Sequence, residues 1–360
     1  MTAAAAAAAL PRYGAPDLVS FAHHLLSAAG MPGQRAATVA EILVEGDLLG
    51  HTTHGLQLLA PYLKEIAEGK MRTSGEVDVV ADRGAAVTWD GRRLPGPWLV
   101  VTAIDLAVER ARQHGLCAIS IRRSHHIACL AAYLKRATDR GMVIMLMSSD
   151  PAVGSVAPYG GTRGLYTPNP LAAGFPTTGD PVLLDVSMST TTNGLTGRLH
   201  AEGRTLDHPW LLDAAGQPSR DPAVLFADPP GSILPLGGVD SGHKGFALGL
   251  LVEALTAGLG GFGRADPPAG WGAAVYLQVI DPEAFGGGLA AFRRETGWFA
   301  DAARANPPAP GHGPVRLPGE RGLRRREAQL ASGVELYPAI MSALAPWAER
   351  YGVTPPAPVA

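Results

Sequence analysis

Cysteine is scarce in this chain: Cys117 and Cys129 are the only two, and neither belongs to a Cys-x-x-Cys pair. Two isolated thiols build neither a disulfide framework nor a cysteine zinc site, which fits a reducing compartment. Charge is sparse too, at 17% of residues, and 30 Lys plus Arg against 32 Asp plus Glu leave a net charge of -2. Without a positive field, nucleic acid is excluded as the main partner. The short run Arg324-Arg325-Arg326 reads as a solvated helix face. Long hydrophobic stretches are missing as well. The longest, from Gly245 to Gly261, is broken by Glu253 and studded with glycine, too short and too interrupted to span a bilayer. The alanine run at 3–9 carries no basic leader and is followed by Pro11 and Gly14, so a soluble cytoplasmic protein with no membrane partner is expected.

Two phosphate-binding signatures are also wanting. No Walker-type loop occurs, so phosphoryl transfer has no support. Gly258-Leu259-Gly260-Gly261-Phe262-Gly263 satisfies G-x-G-x-x-G, but a helical pattern precedes it and Arg264-Ala265-Asp266-Pro267-Pro268 follows. A dinucleotide loop needs a strand before and a helix after, so this segment reads as a helix end and turn.

Glycine and proline are plentiful, at 45 and 31, and 46% of residues are hydrophobic. That combination implies many tight turns, much buried surface and a subunit interface. At 360 residues the chain can form two domains, or one large domain with a subsidiary lobe. Helical spacing marks 17–29, 32–46 and 56–68; alternation marks a strand pair over 76–93 turning at Asp82-Arg83-Gly84. A helix is expected over 99–114, a strand over 117–121, a helix over 126–140 and a strand over 142–147, a rhythm that argues for an α/β layer architecture. The stretch 151–181 lacks periodicity and reads as a functional loop region. Strands follow at 182–186 and 273–280, with helices over 242–259, 321–331 and 334–351.

Four segments carry candidate chemistry. In Asp47-Leu48-Leu49-Gly50-His51-Thr52-Thr53-His54-Gly55, His51 and His54 are expected on one side of a helical turn, flanked by glycines that permit close approach. Imidazole is the natural proton carrier near neutral pH, although a packed histidine pair at a helix end fits the same letters. Arg123-Ser124-His125-His126 is expected at a strand-to-helix junction, where free N–H groups suit an anion and Ser124 suits a cap. Asp185 ends an apolar strand, where a carboxylate needs a partner: an imidazole, or the N–H groups of the next turn. In Ser241-Gly242-His243-Lys244-Gly245 a lysine between glycines at a helix start suits a phosphate or carboxylate, and a solvated lysine equally.

Gly50-His51-Thr52-Thr53-His54-Gly55, Ser124-His125-His126, Pro158-Tyr159-Gly160-Gly161, Thr167-Pro168-Asn169-Pro170-Leu171, Leu184-Asp185-Val186-Ser187, His243-Lys244-Gly245 and Pro318-Gly319-Glu320 occur in one characteristic order. In these motifs the chain resembles the type-2 malate/L-lactate dehydrogenase family, whose relatives include ureidoglycolate and sulfolactate dehydrogenases and piperideine-2-carboxylate reductase. The resemblance covers roughly residues 15 to 350. It implies an oxidoreductase dependent on NAD or NADP, with a non-Rossmann mixed-sheet α/β/α fold and a helical lobe formed from both chain ends. Within it, 1–75 with 305–360 would form the lobe and a homodimer contact. Residues 76–121 with 240–304 would bind the cofactor, and 122–239 would face the substrate.

Carried over by position, His54 becomes the proton donor and acceptor, Asp185 its electrostatic partner, and Thr53 and His126 further members of the catalytic group. Ser149, Asp185, Val186, Ser187, Met188, Ser189, Lys244, Gly319 and Glu320 would contact the cofactor, and His51, Gln57 and Asn169 the substrate, with no metal. Two departures stand out. Thr52 and Thr53 replace the family's usual Asp and Ser, and Leu58 stands where an arginine commonly grips the substrate carboxylate. Each charge-assisted hydrogen bond so lost is worth about 1.5–3 kcal/mol. Two other functions fit some of the same residues. His51, His54, His126 and Asp185 could ligate a metal in a hydrolase, against which the i, i+3 spacing and the missing His-Glu-x-x-His count. A catalytically silent, metabolite-binding relative is the other.

Overall fold

The computed structural model describes residues 10–266 and 268–359; the alanine run at 3–9 and Pro267 lie outside them. The chain divides into two units, Met1–Gly69 with Arg321–Ala360 and Lys70–Glu320.

The first unit opens with α1 (Ala15–Ala28), α2 (Gly33–Leu48) and α3 (Leu59–Ala67). Leu18, Phe21, Leu25 and Leu26 make the buried stripe of α1, at the spacing its periodicity predicts, and a proline and Asp17 in its first turn suit a helix N-terminus. In α2, Val39, Ile42 and Leu43 are buried, and the helix runs past Gly46 to Leu48.

The second unit is built on a mixed sheet. Its elements are β1 (Asp78–Asp82), β2 (Ala86–Asp90), α4 (Gly96–His114), β3 (Leu116–Ser124), α5 (Ala131–Thr138), β4 (Val143–Ser149), β5 (Leu171–Phe175) and β6 (Val182–Val186). After these come α6 (Asn193–Ala201), α7 (Gly238–Glu253), β7 (Ala273–Ile280) and α8 (Gly288–Arg304). The seven strands lie in the order β1-β2-β3-β7-β4-β5-β6. The β2–β3 pair is parallel, crossing over through α4, and the other five pairs are antiparallel. A Rossmann sheet is mostly parallel, so this is the non-Rossmann mixed α/β fold. Strands from 76–121, 122–239 and 240–304 all join this one sheet.

Late in the chain, β7 inserts between β3 and β4, and it is buried along nearly its whole length, as a central apolar strand must be. Its register sets Ala273 opposite Ser124 and Ala274 opposite Ser149, so the ends of β3 and β4 meet at the start of β7.

In the C-terminal return, α9 (Glu320–Ser332) and α10 (Pro338–Tyr351) flank a short strand, Val334–Glu335, that pairs with Arg12–Tyr13. The first unit thus draws on both chain ends. A single helix over 334–351 does not form, because Pro338 starts α10 and the two residues before Leu336 join a strand instead. Among the described residues no helix is long and apolar enough to cross a membrane.

Other expectations are corrected locally. The loop at 151–181 contains β5, and α6 and α8 occupy stretches that showed no clear pattern. The helix expected from His126 begins only at Ala131; residues 125–129 are irregular. The G-x-G-x-x-G segment follows a π-helical turn, Ala254–Gly258, that continues α7, so a helix does precede it.

Candidate active site

In the first unit, His51 to Gly55 join α2 to a 3-10 turn at Leu56–Leu58. The two imidazoles are therefore not on a helix. Their i, i+3 relation survives in a turn, where the His54 N–H donates to the His51 carbonyl at 2.8 Å. Thr53 Oγ1 lies 2.8 Å from His54 Nδ1, and both side chains are half-buried. Asp47, wholly buried at the end of α2, accepts the Leu56 N–H at 2.7 Å. A Cβ on Gly55 would fall 2.3 Å from that carboxyl, so this glycine accommodates Asp47 rather than a substrate. From α9, the buried Gln329 amide donates to the carbonyls of Asp47 and Leu48, both at 2.9 Å, satisfying the open end of α2. The histidine turn is thereby held on both sides. Half-buried Gln57 and Leu58 follow it.

In the second unit, Ser124 is the last residue of β3, and its hydroxyl donates to the His125 carbonyl at 2.7 Å; it caps no helix. Arg123 is not free for an anion, because its Nε donates to Asp90 at 2.9 Å alongside Arg122 at the same distance. Burial opposes ionisation of Asp90, yet Arg123, Arg122 and the Arg92 N–H hold its pKa below the usual carboxylate value. His125 is fully buried, and burial, helped by the Arg93 charge, pushes its pKa down to about 3. His126 sets its ring over Trp271, with centroids 4.6 Å apart and planes tilted by 31°, while its Nδ1 accepts the Ala128 N–H at 3.2 Å. Asp185, on β6, accepts the Ala131 N–H at 2.9 Å, so it caps α5 across space rather than the turn that follows it in sequence. The Cys129 thiol points at the same oxygen from 4.0 Å.

The expected cofactor residues separate into two groups. Ser149 donates to Glu253 at 2.6 Å, Ser189 to the Thr191 carbonyl at 2.7 Å, and Met188 packs in a small apolar core; all three are buried. Asn169 is likewise committed: it is fully buried, donates to Glu253 and the Gly249 carbonyl, and accepts from Thr167. The side chains of these four are engaged with one another's neighbours inside the protein. Asp185, Val186 and Ser187, in contrast, leave β6 at the sheet edge, and Val186 is 39% exposed. The Leu183 N–H donates to the Pro318 carbonyl at 3.2 Å, and a Cβ on Gly319 would lie 2.8 Å from Leu183, so glycine is what lets 318–320 close on this edge. Glu320 there is held by Arg304 at 2.5 Å. The Leu236 N–H donates to the Met188 carbonyl at 3.0 Å, which brings the start of α7 beside the same strand. Lys244 is exposed in α7, in the first turn after the kink at the irregular Ser241. An exposed ammonium, a hydroxyl and a glycine-lined strand edge together suit a dinucleotide's phosphates and ribose. Trp271 escaped sequence analysis because it stands alone in a Gly- and Pro-rich stretch, with no periodicity to mark it.

Residues 14–345 match the model of the malate/L-lactate dehydrogenase family. An L-lactate dehydrogenase of Cupriavidus necator is 32% identical over 93% of this chain and 96% of its own. A (2R)-3-sulfolactate dehydrogenase (NADP(+)) of Chromohalobacter salexigens is 34% identical over 66% of this chain and 68% of its own. The crystal structure of delta1-piperideine-2-carboxylate reductase from Pseudomonas syringae pvar. tomato superposes with a TM-score of 0.80 at 27% identity, covering 93% of this chain and 99% of that one. With the family model matched over nearly the whole chain and the fold shared with solved members, the chain belongs to the malate/L-lactate dehydrogenase family and is a dehydrogenase.

Proposed function

We propose that this dehydrogenase transfers hydride reversibly between a nicotinamide cofactor, NAD or NADP, and the α-carbon of a 2-oxo/2-hydroxy acid or a cyclic 2-imino acid. One observation carries this most: the contact between Thr53 Oγ1 and His54 Nδ1 at 2.8 Å, on a half-buried turn. A hydroxyl can both donate and accept, so Thr53 satisfies Nδ1 in either protonation state. The cofactor, when bound, supplies the hydride. His54 gives its proton to the developing alkoxide or amine and recovers it in the reverse direction. Asp185 is the carboxylate that favours its charged form. His51 and Gln57 face the substrate. Val186, Ser187, Lys244, Gly319 and Glu320 would hold the cofactor.

The relatives named for lactate, sulfolactate and piperideine-2-carboxylate support this substrate class, since each name describes a carboxylate with an oxidisable or reducible α-carbon. The sulfolactate relative's name makes NADP one of the two cofactors to test. With Leu58 in place of a guanidinium, the substrate carboxylate needs another donor. A homodimer through the helical lobe is the assembly proposed, and the exposed Leu248, Leu250 and Leu251 of α7 are a further apolar patch that a partner subunit would cover. Fluorescence titration with NADH and NADPH, followed by absorbance loss against 2-oxo and cyclic imino acids, tests the assignment. Binding of one nucleotide and its oxidation by at least one such acid are expected. Failure to bind either nucleotide would contradict it.

A further inference from the structure

We propose that Tyr159 is the platform on which the adenine base of the dinucleotide stacks, at the far end of the edge that holds its phosphates. The assignment rests on the proposed nicotinamide-dependent function and gives the cofactor a second anchor. Pro158-Tyr159-Gly160-Gly161 is one of the ordered motifs of the sequence, and the chemistry at His54 does not use it. The segment forms a tight turn, in which the Gly161 N–H donates to the Pro158 carbonyl at 2.9 Å and Gly160 has φ of 84°. A positive φ at the third position of such a turn favours glycine, and the turn leaves Tyr159 at its tip.

The ring at that tip is fixed but not covered. A Cβ on Gly242 would fall 3.0 Å from both the Tyr159 ring and Pro235, so glycine is what lets α7 come up against the phenol. The Tyr159 hydroxyl donates to the Val239 carbonyl at 3.4 Å, and the His243 ring meets it edge-on at 5.6 Å and 71°. Tyr159 is nevertheless 43% exposed, with the exposed Val239 and Leu236 beside it. An aromatic already held in place loses little freedom when a flat ligand settles on it. Every nucleobase offers a π-face, so such a ring suits a base before any hydrogen-bonding pattern is considered.

Position singles out the base of the cofactor. Pro235, which packs at Gly242 with the ring, bridges Ser189, and the Leu236 N–H donates to the Met188 carbonyl at 3.0 Å. Tyr159 therefore stands by the end of the run 185–189, whose first residue is Asp185. Four residues span at most about 14 Å. A dinucleotide that presents its nicotinamide at Asp185 runs along this edge toward Tyr159. The exposed Lys244, one residue beyond His243, adds a positive charge for the phosphates on the way.

ADP-ribose, which lacks the nicotinamide, probes this end alone in calorimetric titration. Tyr159→Ala should raise the Kd of ADP-ribose and of the whole dinucleotide by about tenfold or more, with the loss in nucleotide affinity rather than in KM for the acid. Tyr159→Phe keeps the π-face and should restore most of the affinity. Tyr159→Leu keeps bulk against Gly242 and Pro235 without the π-face, and should lose affinity as the alanine variant does. An unchanged ADP-ribose Kd in Tyr159→Ala overturns the platform. So does full affinity in Tyr159→Leu, which would make the role one of packing. The Phe and Leu pair carries the comparison should the alanine variant not fold. A lower mass in light scattering with ADP-ribose affinity intact would mean that the ring covers a subunit contact, and would equally refute the inference. If the wild type binds neither NADH nor NADPH, the parent function fails and the platform falls with it. If the wild type binds and turns over while Tyr159→Ala holds ADP-ribose as tightly, only the platform fails.

Discussion

Ala128 holds a left-handed backbone with φ of 58°, a conformation that costs an L-residue about 1–2 kcal/mol. Glycine is free of that penalty, though it gains entropy in the unfolded chain. Ala128→Gly should therefore raise the unfolding free energy by about 0.5–1 kcal/mol in urea titration, and a destabilised variant would show that the strain is absent. His125 makes a pH prediction. Its folded pKa of about 3, set by burial and then by Arg93, lies below the ordinary 6.5, so the unfolded chain binds the extra proton between those values. Stability is complete above pH 6.5 and declines as pH falls toward 3, by at most about 5 kcal/mol from this group. In His125→Gln that decline should be shallower; an identical slope would mean that His125 does not stay neutral. At this scale the His54 and Thr53 pair was legible, because neighbours in sequence are neighbours in a turn. The burial of Ser149, Met188, Ser189 and Asn169 was not, because it depends on Glu253 and other distant partners.

Elements contribute by closing one another's ends. α9 satisfies the last carbonyls of α2 through Gln329, whose own oxygen accepts the Glu335 N–H at 2.9 Å. Removing that amide leaves buried groups unmet, so Gln329→Ala should cost about 2–3 kcal/mol on chemical unfolding. It should also lower turnover, since the histidine turn follows directly. At the end of α7, Glu253 accepts from Ser149, Asn169 and, at 3.0 Å, Arg264. Glu253→Ala removes the carboxylate facing Arg264, which keeps its bonds to Ser149 and to the Val153 and Asp150 carbonyls, and should cost about 2–3 kcal/mol; a loss below about 1 kcal/mol would deny the network its structural weight. The hidden elements have physical reasons. β5 is Leu-Ala-Ala-Gly-Phe between two prolines, and it becomes a strand only by pairing on both sides. α6 carries two glycines in nine residues, although the Thr192 hydroxyl that accepts the Leu195 N–H was a readable cap. α8 inverts the usual pattern, burying Gly297 and Ala300 while Trp298 and Phe299 are each 68% exposed.

For the whole molecule, long periodic helices and the order of seven short motifs carried the family and the mixed fold. The placement of β7 between β3 and β4 was out of reach, because a late strand's partners leave no mark in local spacing. That placement brings the segments after Ser124 and Ser149 to one end of the sheet. The exposed leucines of α7 make the assembly testable: Leu251→Glu should shift the mass seen by light scattering from dimer to monomer, and a monomeric wild-type chain would contradict the dimer.

The central claim is that His54 passes the proton that accompanies hydride transfer. Single-turnover oxidation of the bound reduced nucleotide by a confirmed substrate, compared between the wild type and His54→Ala, measures this most directly. A fall of about 10²–10⁴-fold with nucleotide affinity retained is predicted. Turnover within a few fold of the wild type would contradict it.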